Sequence, residues 1–478
     1  MVEHSARLLN DVEKNGIGSL GMGISGEAVL SRLLSLLPGL GKTIPLILRD
    51  KSKGAVCPLK KEDFPLLCCR FGEHWLEDIR EPLLFRSPVI RPDLPQLRHA
   101  VACGAVCTSE IAWTIHDTPA KRFLVTGSDG KTSTSSMLYS IFSLAGEQEG
   151  YQAYLGGNIG RSLLKATADM RPTDRAVFEI SSFQLLDLFP KSEVATVTNL
   201  TPNHLDVHTS FEEYKDAKLR IFKNASQKVI SADCPHTLCA ISSGDILWSS
   251  SLSLSELKAK FGNHPFVWRT NQTIYYTEGN TTAEVMPIQD LYFKEGYQVS
   301  NAMTAIGMAF PFVKAEYIRQ GLATFSGVAH RMQRVARYGN VLCYDSSIDT
   351  TPSRVKATLS ALGGKPTVIC GGSDKGLDYL PLAYTLLSHS GRVVLAGQTK
   401  EAIYNALTKA MQNTNQSLPV FVEKDFKAAV QTALSITPEG ESLVLSPGCA
   451  SFDAFRNYQD KSRAFLDILL GMGAVPIS

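Results

Sequence analysis

The feature that most constrains this chain is one pattern that occurs three times: an apolar strand-like run, a glycine-bearing turn and then a helical pattern. The three occurrences begin near Ile17, Arg122 and Gly339. Apolar strands that alternate with helices are typical of doubly wound parallel sheets. At roughly 150 residues per domain, a chain of 478 residues allows about three domains. We therefore predict an α/β protein with domains at residues 1–119, 120–327 and 328–478. The first and last domains are expected to be Rossmann-like, and the central sheet is expected to be mostly parallel.

The charge balance limits the kinds of partner that this protein can have. Lys plus Arg is 48 and Asp plus Glu is 46, so the formal net charge is +2 and no overall field favours nucleic acid or an anionic membrane. No apolar run reaches the ~18 residues of a membrane span, and the N-terminus lacks the apolar core of a signal peptide. The ten cysteines form no C-x-x-C pairs, which favours reduced, buried thiols. These observations predict a cytoplasmic protein without nucleic-acid or membrane partners. We also expect a monomer, although none of these observations determines the oligomeric state.

The first glycine turn has the spacing G-x-G-x-x-G at Gly21, Gly23 and Gly26. A second apolar run ends at Arg49 and Asp50, which is the layout of a small nucleotide-binding α/β unit. The alternative is that these glycines only make tight turns between a strand and a helix.

The second turn is a candidate phosphate loop, because residues 127–132 read GSDGKT between a strand and a helix. Glycines let backbone N–H groups point inward around phosphate oxygens, and the helix N-terminus favours negative charge. Lys131 supplies a cation for the terminal phosphates, and the Thr132 hydroxyl can bind Mg²⁺. The glycine spacing is shorter than in the general Walker A pattern, but the context indicates a P-loop-type central ATPase domain.

Three further residues are candidates for chemistry, each with an ordinary structural alternative. Glu179 closes an apolar run and either is a solvated strand end or is held by a cation such as Mg²⁺. His204 and His208 are four residues apart, so zinc binding is conceivable, although a polar cluster beside the phosphate loop is the preferred interpretation. Lys218 lies on an amphipathic pattern and, from residue type alone, would be a solvated helix lysine.

Four segments together resemble the Mur ligase family of ATP-dependent amino-acid ligases. Residues 127–132 are similar to the family's GTNGKT/S loop, and residues 179–185, EISSFQL, are similar to the E-x-SSFQL segment of the branch that adds D-glutamate. Residues 199–218 resemble the run N-x-x-x-[DN]-H-x-D-x-H…Y…AK, and residues 446–455, SPGCASFDAF, resemble the LSPACASFD signature of the same branch. The motifs stand in the family's order across nearly the whole chain. The resemblance therefore implies a ligase that joins D-glutamate to UDP-N-acetylmuramoyl-L-alanine through an acyl phosphate, in peptidoglycan precursor synthesis.

The resemblance also implies the use of ATP and Mg²⁺ and assigns roles to individual residues. The expected ATP contacts are Gly127, Ser128, Asp129, Gly130, Lys131, Thr132, Ser133, Asn301, Arg331 and Asp345. The expected Mg²⁺ ligands are Thr132, Glu179, His204 and a carbamylated Lys218. The expected catalytic residues are Lys131, His204 and Lys218. The expected UDP-sugar contacts are Gly21, Gly23, Ser25, Gly26, Asp50 and Asn158, and the expected glutamate contacts are Lys375, Ser451 and Phe452.

The chain departs from the family pattern in a few places. Where some members have DSKATN, residues 345–351 read DSSIDTT, so the family's lysine and threonine near glutamate are displaced and Thr350 or Thr351 could substitute. The N-terminal domain also looks longer around residues 64–95 than is usual in this family. An L-glutamate-specific ligase, a folylpolyglutamate synthase-like ligase and a nucleotide-binding switch without ligase chemistry are the alternatives.

Overall fold

The computed structural model describes residues 11–159, 162–204, 207–292, 294, 296–325, 327–374 and 378–477. The chain forms two compact units, and the first of them ends at Phe325. The first unit contains two β-sheets and the second contains one. The three sheets are mostly parallel and carry helices between their strands, so the prediction of an α/β fold with three domains is confirmed. The domain limits at residues 119 and 327 stay predictions.

The N-terminal domain contains a five-stranded parallel sheet in the order β3-β2-β1-β4-β5. Its strands are β1 (Ile17–Leu20), β2 (Leu46–Asp50), β3 (Leu67–Phe71), β4 (Leu83–Arg86) and β5 (Val106–Thr108). Its helices are α1 (Ile24–Leu36), α2 (Pro95–Ala102) and α3 (Glu110–Asp117). The strand order reverses between β1 and β4, and ligands of open α/β sheets bind in the crevice at such a point. The glycine turn after β1 lies at this crevice.

The central domain contains a nine-stranded sheet in the order β14-β13-β12-β11-β10-β9-β6-β8-β7. Its strands are β6 (Lys121–Thr126), β7 (Ala153–Gly157), β8 (Arg175–Glu179), β9 (Lys191–Val197), β10 (Asn224–Ser231), β11 (Ile246–Trp248), β12 (Phe266–Arg269), β13 (Thr273–Glu278) and β14 (Thr281–Pro287). Its helices are α4 (Lys131–Glu149), α5 (Phe211–Leu219), α6 (Leu254–Phe261), α7 (Gly296–Ala309) and α8 (Ala315–Ala323). The strands from β6 to β12 pair in parallel, while the β12–β13 and β13–β14 pairs are antiparallel.

The central strands β6, β8 and β9 are buried over most of their length because both faces of this part of the sheet are covered. Leu124, Phe178 and Val197 belong to one continuous core. The carboxyl ends of these strands are where the polar segments begin. The core therefore places the phosphate loop, Glu179 and the residues after β9 at one edge of the sheet.

The second unit contains a seven-stranded sheet in the order β19-β18-β17-β20-β16-β15-β21. Its strands are β15 (Gln333–Tyr338), β16 (Val341–Asp345), β17 (Thr367–Cys370), β18 (Arg392–Leu395), β19 (Val420–Val422), β20 (Ser442–Leu445) and β21 (Val475–Pro476). Its helices are α9 (Pro352–Leu362), α10 (Leu380–His389), α11 (Lys400–Thr414), α12 (Phe426–Ile436) and α13 (Tyr458–Gly471). Apolar clusters cover both faces of the parallel strands.

The cysteines only partly follow the sequence expectation. All ten are free thiols, but four of them (Cys68, Cys69, Cys103 and Cys239) are exposed. The prediction of buried thiols is therefore wrong for these four, because short strands and helix ends at the surface hold them. Within the described ranges, no helix is both long and apolar enough to cross a membrane.

Candidate functional site

The phosphate loop joins the end of β6 to the first residue of α4, as the sequence predicts. Gly127 has φ +146° and Gly130 has φ +77°, conformations that side-chain-bearing residues rarely adopt. A Cβ atom on Gly127 would lie 1.8 Å from Thr198 Oγ1, and one on Gly130 would lie 2.2 Å from Asn301 Oδ1. Both glycines are therefore required by backbone geometry and by the lack of space around the loop.

The segment after β9 holds the loop in its shape. The backbone N–H of Ser128 donates to the Asn199 carbonyl at 3.0 Å, and the N–H of Asp129 donates to Asn199 Oδ1 at 2.8 Å. The Ser128 hydroxyl donates to the Thr201 carbonyl at 2.9 Å and contacts Tyr214 Oη at the same distance. Ser128, Thr132 and Ser133 are buried, whereas Asp129 is exposed. The loop is thus held in shape by hydrogen bonds to the segment after β9 and to Tyr214.

Two lysines converge on one carbonyl oxygen of this loop. Lys131 Nζ donates to the carbonyls of Gly127 and Ser128, both at 2.9 Å. Lys218 Nζ, from the last turn of α5, donates to the same Gly127 carbonyl at 2.7 Å. The ammonium group of Lys131 places positive charge beside the loop, where phosphate oxygens would be stabilised.

Lys218 is not the solvated helix lysine that residue type alone suggests. It is 2% exposed, donates to Thr126 Oγ1 at 3.2 Å and lies over the Tyr214 ring at 4.9 Å. Burial, reinforced by the nearby charge of Lys131, lowers the pKa of Lys218 well below its usual value, while Glu179 and Asp129 act in the opposite direction. The solvated interpretation is therefore wrong, and the site favours a neutral amine or a modified one.

Glu179 is a buried carboxylate at the end of β8, which excludes the alternative of a solvated strand end. It is 1% exposed, and its Oε1 accepts a hydrogen bond from Asn158 Nδ2 at 2.7 Å. Its other oxygen, Oε2, is buried without a hydrogen-bond partner among the described residues. An unpartnered buried carboxylate oxygen is costly, and a cation would satisfy it. Asn158 therefore orients the carboxylate, and Oε2 remains available for a metal ion.

This donor set fits Mg²⁺ better than zinc. Across the residues that the structure describes, no group of three or more His, Cys, Asp or Glu side chains could hold a metal ion. Zinc takes three or four protein ligands, whereas Mg²⁺ is commonly bound by one or two carboxylates with substrate phosphates and waters. Glu179, which pairs with Val125 of the strand that leads into the phosphate loop, provides a carboxylate for that kind of site.

His204 and His208 lie in a turn rather than on a common helix face. His204 has φ +54° and is exposed, with its ring centroid 5.1 Å from that of Phe183. His208 is buried, with Nε2 3.0 Å from Ser182 Oγ and Nδ1 3.5 Å from a Glu213 oxygen, an ion-pair distance without hydrogen-bond geometry. Burial lowers the pKa of His208. The two imidazoles therefore have different surroundings: His204 is exposed, whereas His208 is buried between Ser182 and Glu213.

Asn301, on α7, lies against the phosphate loop. It is buried, its Oδ1 accepts a hydrogen bond from Thr134 Oγ1 at 3.4 Å, and its Nδ2 donates to Gln298 Oε1 at 3.2 Å. Its packing on Gly130 links α7 to the start of α4. The predicted contact with adenine stays a prediction.

The N-terminal glycine turn has the geometry that its spacing predicts. Gly21 has φ +90°, and a Cβ on Gly26 would lie 2.1 Å from the Gly21 carbonyl oxygen, so helix α1 packs directly on the turn. A Cβ on Gly23 would meet nothing within 4 Å, and Ser25 is half-buried in the first turn of α1. Asp50 Oδ2 accepts the backbone N–H of Met22 at 2.8 Å, so this carboxylate already braces the turn.

Two residues of the second unit, Arg331 and Asp345, are predicted to contact ATP. Both carboxylate oxygens of Asp345 already have partners within that unit. Asp345 is buried at the end of β16, and its Oδ2 contacts His330 Nδ1 at 2.9 Å and accepts the Ser462 hydroxyl at 2.6 Å. Arg331 is half-buried and lies between His330, with φ +64°, and Met332, with φ +47°. Asp345 therefore orients this turn, and the predicted nucleotide contacts of Arg331 and Asp345 stay predictions.

The predicted glutamate residues have different surroundings. Ser451 is buried with an unpartnered hydroxyl among the described residues, whereas Phe452 is 69% exposed. Lys375 lies outside the described residues. Asp349, in the segment that departs from the family pattern, is buried, accepts the Ser446 hydroxyl at 2.8 Å, and has a pKa raised by burial. Asp349 thus ties this segment to the LSPGCASFD region.

Sequence reasoning missed one residue of this neighbourhood, Arg91. It follows β4 in the long segment of the N-terminal domain and contacts both Val207 and Glu213 of the central domain. No local pattern marks an arginine that pairs with residues more than a hundred positions away.

Comparison with known proteins places the chain among ligases of one family. Residues 125–309 match the model of the Mur ligase middle domain. A protein of Acetivibrio thermocellus named UDP-N-acetylmuramoylalanine–D-glutamate ligase is 32% identical over 475 residues, which cover 96% of this chain and 98% of that protein. A protein of the same name from Clostridium kluyveri is 33% identical over 463 residues, covering 95% and 96%.

Solved structures share the fold at low sequence identity. UDP-N-acetylmuramate–alanine ligase of Thermotoga maritima superposes with a TM-score of 0.54 at 15% identity, covering 95% of this chain and 99% of that one. A structure from Acinetobacter baumannii named UDP-N-acetylmuramoylalanyl-D-glutamyl-2,6-diaminopimelate–D-alanyl-D-alanyl ligase gives a TM-score of 0.54 at 16% identity. The superposition covers 92% of this chain and 98% of that one.

Proposed function

Because the chain belongs to the Mur ligase family of ATP-dependent ligases, we propose that it joins D-glutamate to UDP-N-acetylmuramoyl-L-alanine in peptidoglycan precursor synthesis. The observation that carries this proposal is the edge of the central sheet, where Lys131 and Lys218 both donate to the Gly127 carbonyl of the phosphate loop. At the end of the adjacent strand β8, Glu179 has one buried oxygen without a hydrogen-bond partner among the described residues. The similarity to D-glutamate ligases over nearly the full chain supports the choice of substrates.

The proposed reaction has two steps. A carboxylate oxygen of the L-alanine residue attacks the γ-phosphorus of ATP, ADP leaves, and an acyl phosphate forms. The amine of D-glutamate then attacks the acyl carbon, loses a proton, and inorganic phosphate leaves as the amide bond forms. Both steps bring anions together, so they need positioning and charge neutralisation more than covalent catalysis by the protein.

The phosphate loop would bind the ATP phosphates through its backbone N–H groups and the N-terminus of α4. The ammonium group of Lys131 has two carbonyl partners inside the loop. On nucleotide binding, it would exchange a carbonyl contact for the terminal phosphate oxygens. The same movement would leave Lys218 on the Gly127 carbonyl. We also propose that ATP is bound by Asn301, which packs on the loop, and by the other loop residues: Gly127, Ser128, Asp129, Gly130, Thr132 and Ser133.

We propose Thr132, Glu179, His204 and Lys218 as the residues that hold Mg²⁺. When bound, the metal ion would neutralise charge on the phosphoryl group being transferred. The Glu179 carboxylate is oriented for this role by Asn158 and has one oxygen to offer. The exposed His204 ring is accessible to a substrate phosphate or a metal ion.

Lys218 is proposed to act as a carbamate. A neutral amine reacts with CO₂ to form a carbamate anion and release a proton, and burial of Lys218 favours the neutral amine that this reaction requires. The carbamate anion of Lys218 would attract Mg²⁺, whereas the ammonium group of an unmodified lysine would repel it. Thr126 Oγ1 lies within hydrogen-bond distance of the modified end.

The remaining residue roles belong to the same proposal. In the N-terminal domain, the open space above Gly23 allows a uridine diphosphate to approach the backbone. Gly21, Ser25, Gly26, Asp50 and Asn158 are the other proposed UDP-sugar residues. Arg331 and Asp345 are proposed for the nucleotide, and Lys375, Ser451 and Phe452 for glutamate. Since one chain carries every proposed role, we propose a monomer, active in the cytoplasm where its nucleotide substrates are made.

The test is phosphate release from ATP with purified protein, UDP-N-acetylmuramoyl-L-alanine and either D- or L-glutamate. We expect release with D-glutamate and at least tenfold less with L-glutamate. Equal rates would indicate an L-glutamate-tolerant ligase, and turnover with a pteroate substrate instead would indicate a folylpolyglutamate synthase-like enzyme. No release with any acceptor would contradict the ligase proposal.

A further inference from the structure

Arg91 forms an unusually complete set of contacts between the N-terminal and central domains. Its Nε and Nη2 donate to the two oxygens of Asp93, each at 2.8 Å. Its Nη1 donates to the Val207 carbonyl at 2.7 Å and to Glu213 Oε2 at 3.2 Å, and Nη2 donates to Glu213 Oε1 at 2.6 Å. All five N–H groups of the guanidinium are therefore used, three of them across the domains.

The segment that carries Arg91 lines the crevice of the N-terminal sheet. Arg91 follows β4, and the strand order reverses between β1 and β4. A Cβ on Gly21 would lie 2.7 Å from Ser87 Cβ and 3.4 Å from Ile90 Cδ1, so the glycine turn packs on this segment. A ligand in the crevice would therefore contact the segment that ends in Arg91.

On the other side, the partners of Arg91 adjoin the two groups that the ligase reaction needs. The Val207 and His208 N–H groups donate to the His204 carbonyl at 3.1 and 2.9 Å, so the Val207 carbonyl belongs to the turn of His204. Glu213 lies in the first turn of α5, the helix whose last turn bears Lys218. Glu213 also accepts the Thr209 N–H at 2.7 Å, which fixes the start of that helix.

We propose that Arg91 is a positioning residue of the ligase reaction, which holds the sugar-nucleotide crevice in register with the His204 turn and the Lys218 helix. This inference rests on the proposed function. The carboxylate that is to be phosphorylated would be bound in one domain and the phosphoryl group in the other, and the reacting atoms must come within about 3.5 Å. Two salt-bridged oxygens and one carbonyl define both distance and orientation, which a single ion pair would not do.

The guanidinium shape matters more than the charge. A lysine at this position has three N–H donors on a flexible stem and cannot hold Asp93, Glu213 and the Val207 carbonyl together. Although Arg91→Lys keeps the positive charge, it should therefore lower kcat substantially, as Arg91→Ala does. Asp93→Ala is the matched control, because it removes two hydrogen bonds of the same guanidinium but leaves all three cross-domain bonds.

The first experiment measures steady-state phosphate release by the full-length wild type, Arg91→Ala, Arg91→Lys and Asp93→Ala. We expect kcat to fall at least tenfold for Arg91→Ala and about fivefold for Arg91→Lys, with KM for D-glutamate within about twofold. Asp93→Ala should stay within about threefold of wild type. Added guanidinium ion should partly restore kcat of Arg91→Ala only. Unchanged kcat in Arg91→Ala, or an equal loss in Asp93→Ala, would overturn the proposal.

The second experiment needs no turnover and separates this proposal from the ligase function. Hydrogen exchange of the backbone amides of residues 207–219 is measured in the same variants without substrate. We expect exchange at least tenfold faster in Arg91→Ala than in Asp93→Ala. Equal exchange would overturn the positioning role even in an active ligase. If exchange is faster in Arg91→Ala as expected but the wild type shows no ligase turnover, the result would count against the proposed reaction and not against the positioning role.

Discussion

Lys131 and Lys218 donate hydrogen bonds to the same atom, the carbonyl oxygen of Gly127, at 2.9 and 2.7 Å. One lysine comes from the helix that starts at the phosphate loop and the other from a helix that begins about eighty residues later. Two ammonium groups this close repel each other, which contributes to the low pKa of Lys218. The repulsion is relieved when an anion binds the loop or when Lys218 loses its positive charge, so the pair favours both events.

Lys131→Ala is expected to abolish turnover, because the loop would lose the mobile cation for the transferred phosphoryl group. We expect kcat to fall by about a thousandfold or more, with a thermal midpoint within a few degrees of wild type. Phosphate release and circular dichroism melting measure the two quantities. Lys165→Ala, an exposed lysine of the same domain, is the control and should be fully active. Ligation at the wild-type rate by Lys131→Ala would show that the loop is not the ATP site.

Lys218→Ala is expected to be nearly inactive and to regain part of its activity with a short carboxylate such as acetate. The alanine leaves a buried space beside Thr126 and Gly127 where a carboxylate could replace the carbamate. Phosphate release is measured against acetate concentration, and carbon-13 bicarbonate NMR detects a carbamate in wild type. Lys215→Ala, on the same helix, should need no rescue. Full activity of Lys218→Ala would make Lys218 a packing residue only.

Glu179→Gln is expected to raise the Mg²⁺ concentration for half-maximal turnover at least tenfold. Glutamine keeps the size of the side chain and the acceptor for Asn158, but replaces the free carboxylate oxygen that a metal ion would bind. The stability should not fall, because the buried unpaired charge is removed. Glu147→Gln, exposed near the end of the same domain's first helix, should leave the Mg²⁺ dependence unchanged. An unaltered dependence in Glu179→Gln would exclude it as a ligand.

Gly26→Ala and Gly23→Ala are expected to separate stability from binding in the N-terminal turn. A Cβ on Gly26 would lie 2.1 Å from a backbone carbonyl, so we expect a loss of about 2–4 kcal/mol in the free energy of unfolding. A Cβ on Gly23 has open space and should cost no more than about 1 kcal/mol, yet weaken UDP binding. Urea unfolding and calorimetric titration with UDP measure these quantities. Normal UDP affinity in Gly23→Ala would place the nucleotide elsewhere.

Glu213 is expected to make stability depend on pH in acid. Hydrogen bonds from Arg91 lower the pKa of Glu213 from its ordinary value of 4.5 to about 2. A depressed carboxyl pKa adds stability above about pH 4.5, and this contribution is lost as the pH falls towards 2 because the unfolded chain binds the proton first. Partial exposure reduces the contribution to about 1–2 kcal/mol. Thermal midpoints between pH 3 and 6 should vary less in Glu213→Gln than in wild type, and equal slopes would contradict the pairing.

The phosphate loop and the N-terminal turn could be predicted well because glycine positions report on local backbone geometry. Gly127 and Gly130 have the positive φ angles that the loop requires, and Gly26 has no room for a side chain. Such constraints act over a few residues, so a short motif carries them. The strand–turn–helix pattern likewise predicted the parallel sheets.

The surroundings of single side chains were less predictable. No local pattern indicated that Asp345 is buried against His330 and Ser462, or that the ring of Phe452 is largely exposed. Cys68 was expected to be buried and is exposed. Residue type indicates what a group can do, whereas burial depends on which distant segments cover it.

The sequence by itself determined the α/β class, the glycine turns after β1 and β6 and the order of the ligase motifs, because these depend on local backbone preferences and on periodic apolar positions. The third predicted glycine turn was wrong, because Gly339 lies before β16 and no glycine stands between β16 and α9. Only the tertiary structure decided that Lys218 is buried beside Lys131, that Glu179 keeps one oxygen free, and that Arg91 joins the two domains of the first unit. Each of these relationships links residues at least 85 positions apart or depends on packing from several strands, so its electrostatic effect exists only after the chain has folded.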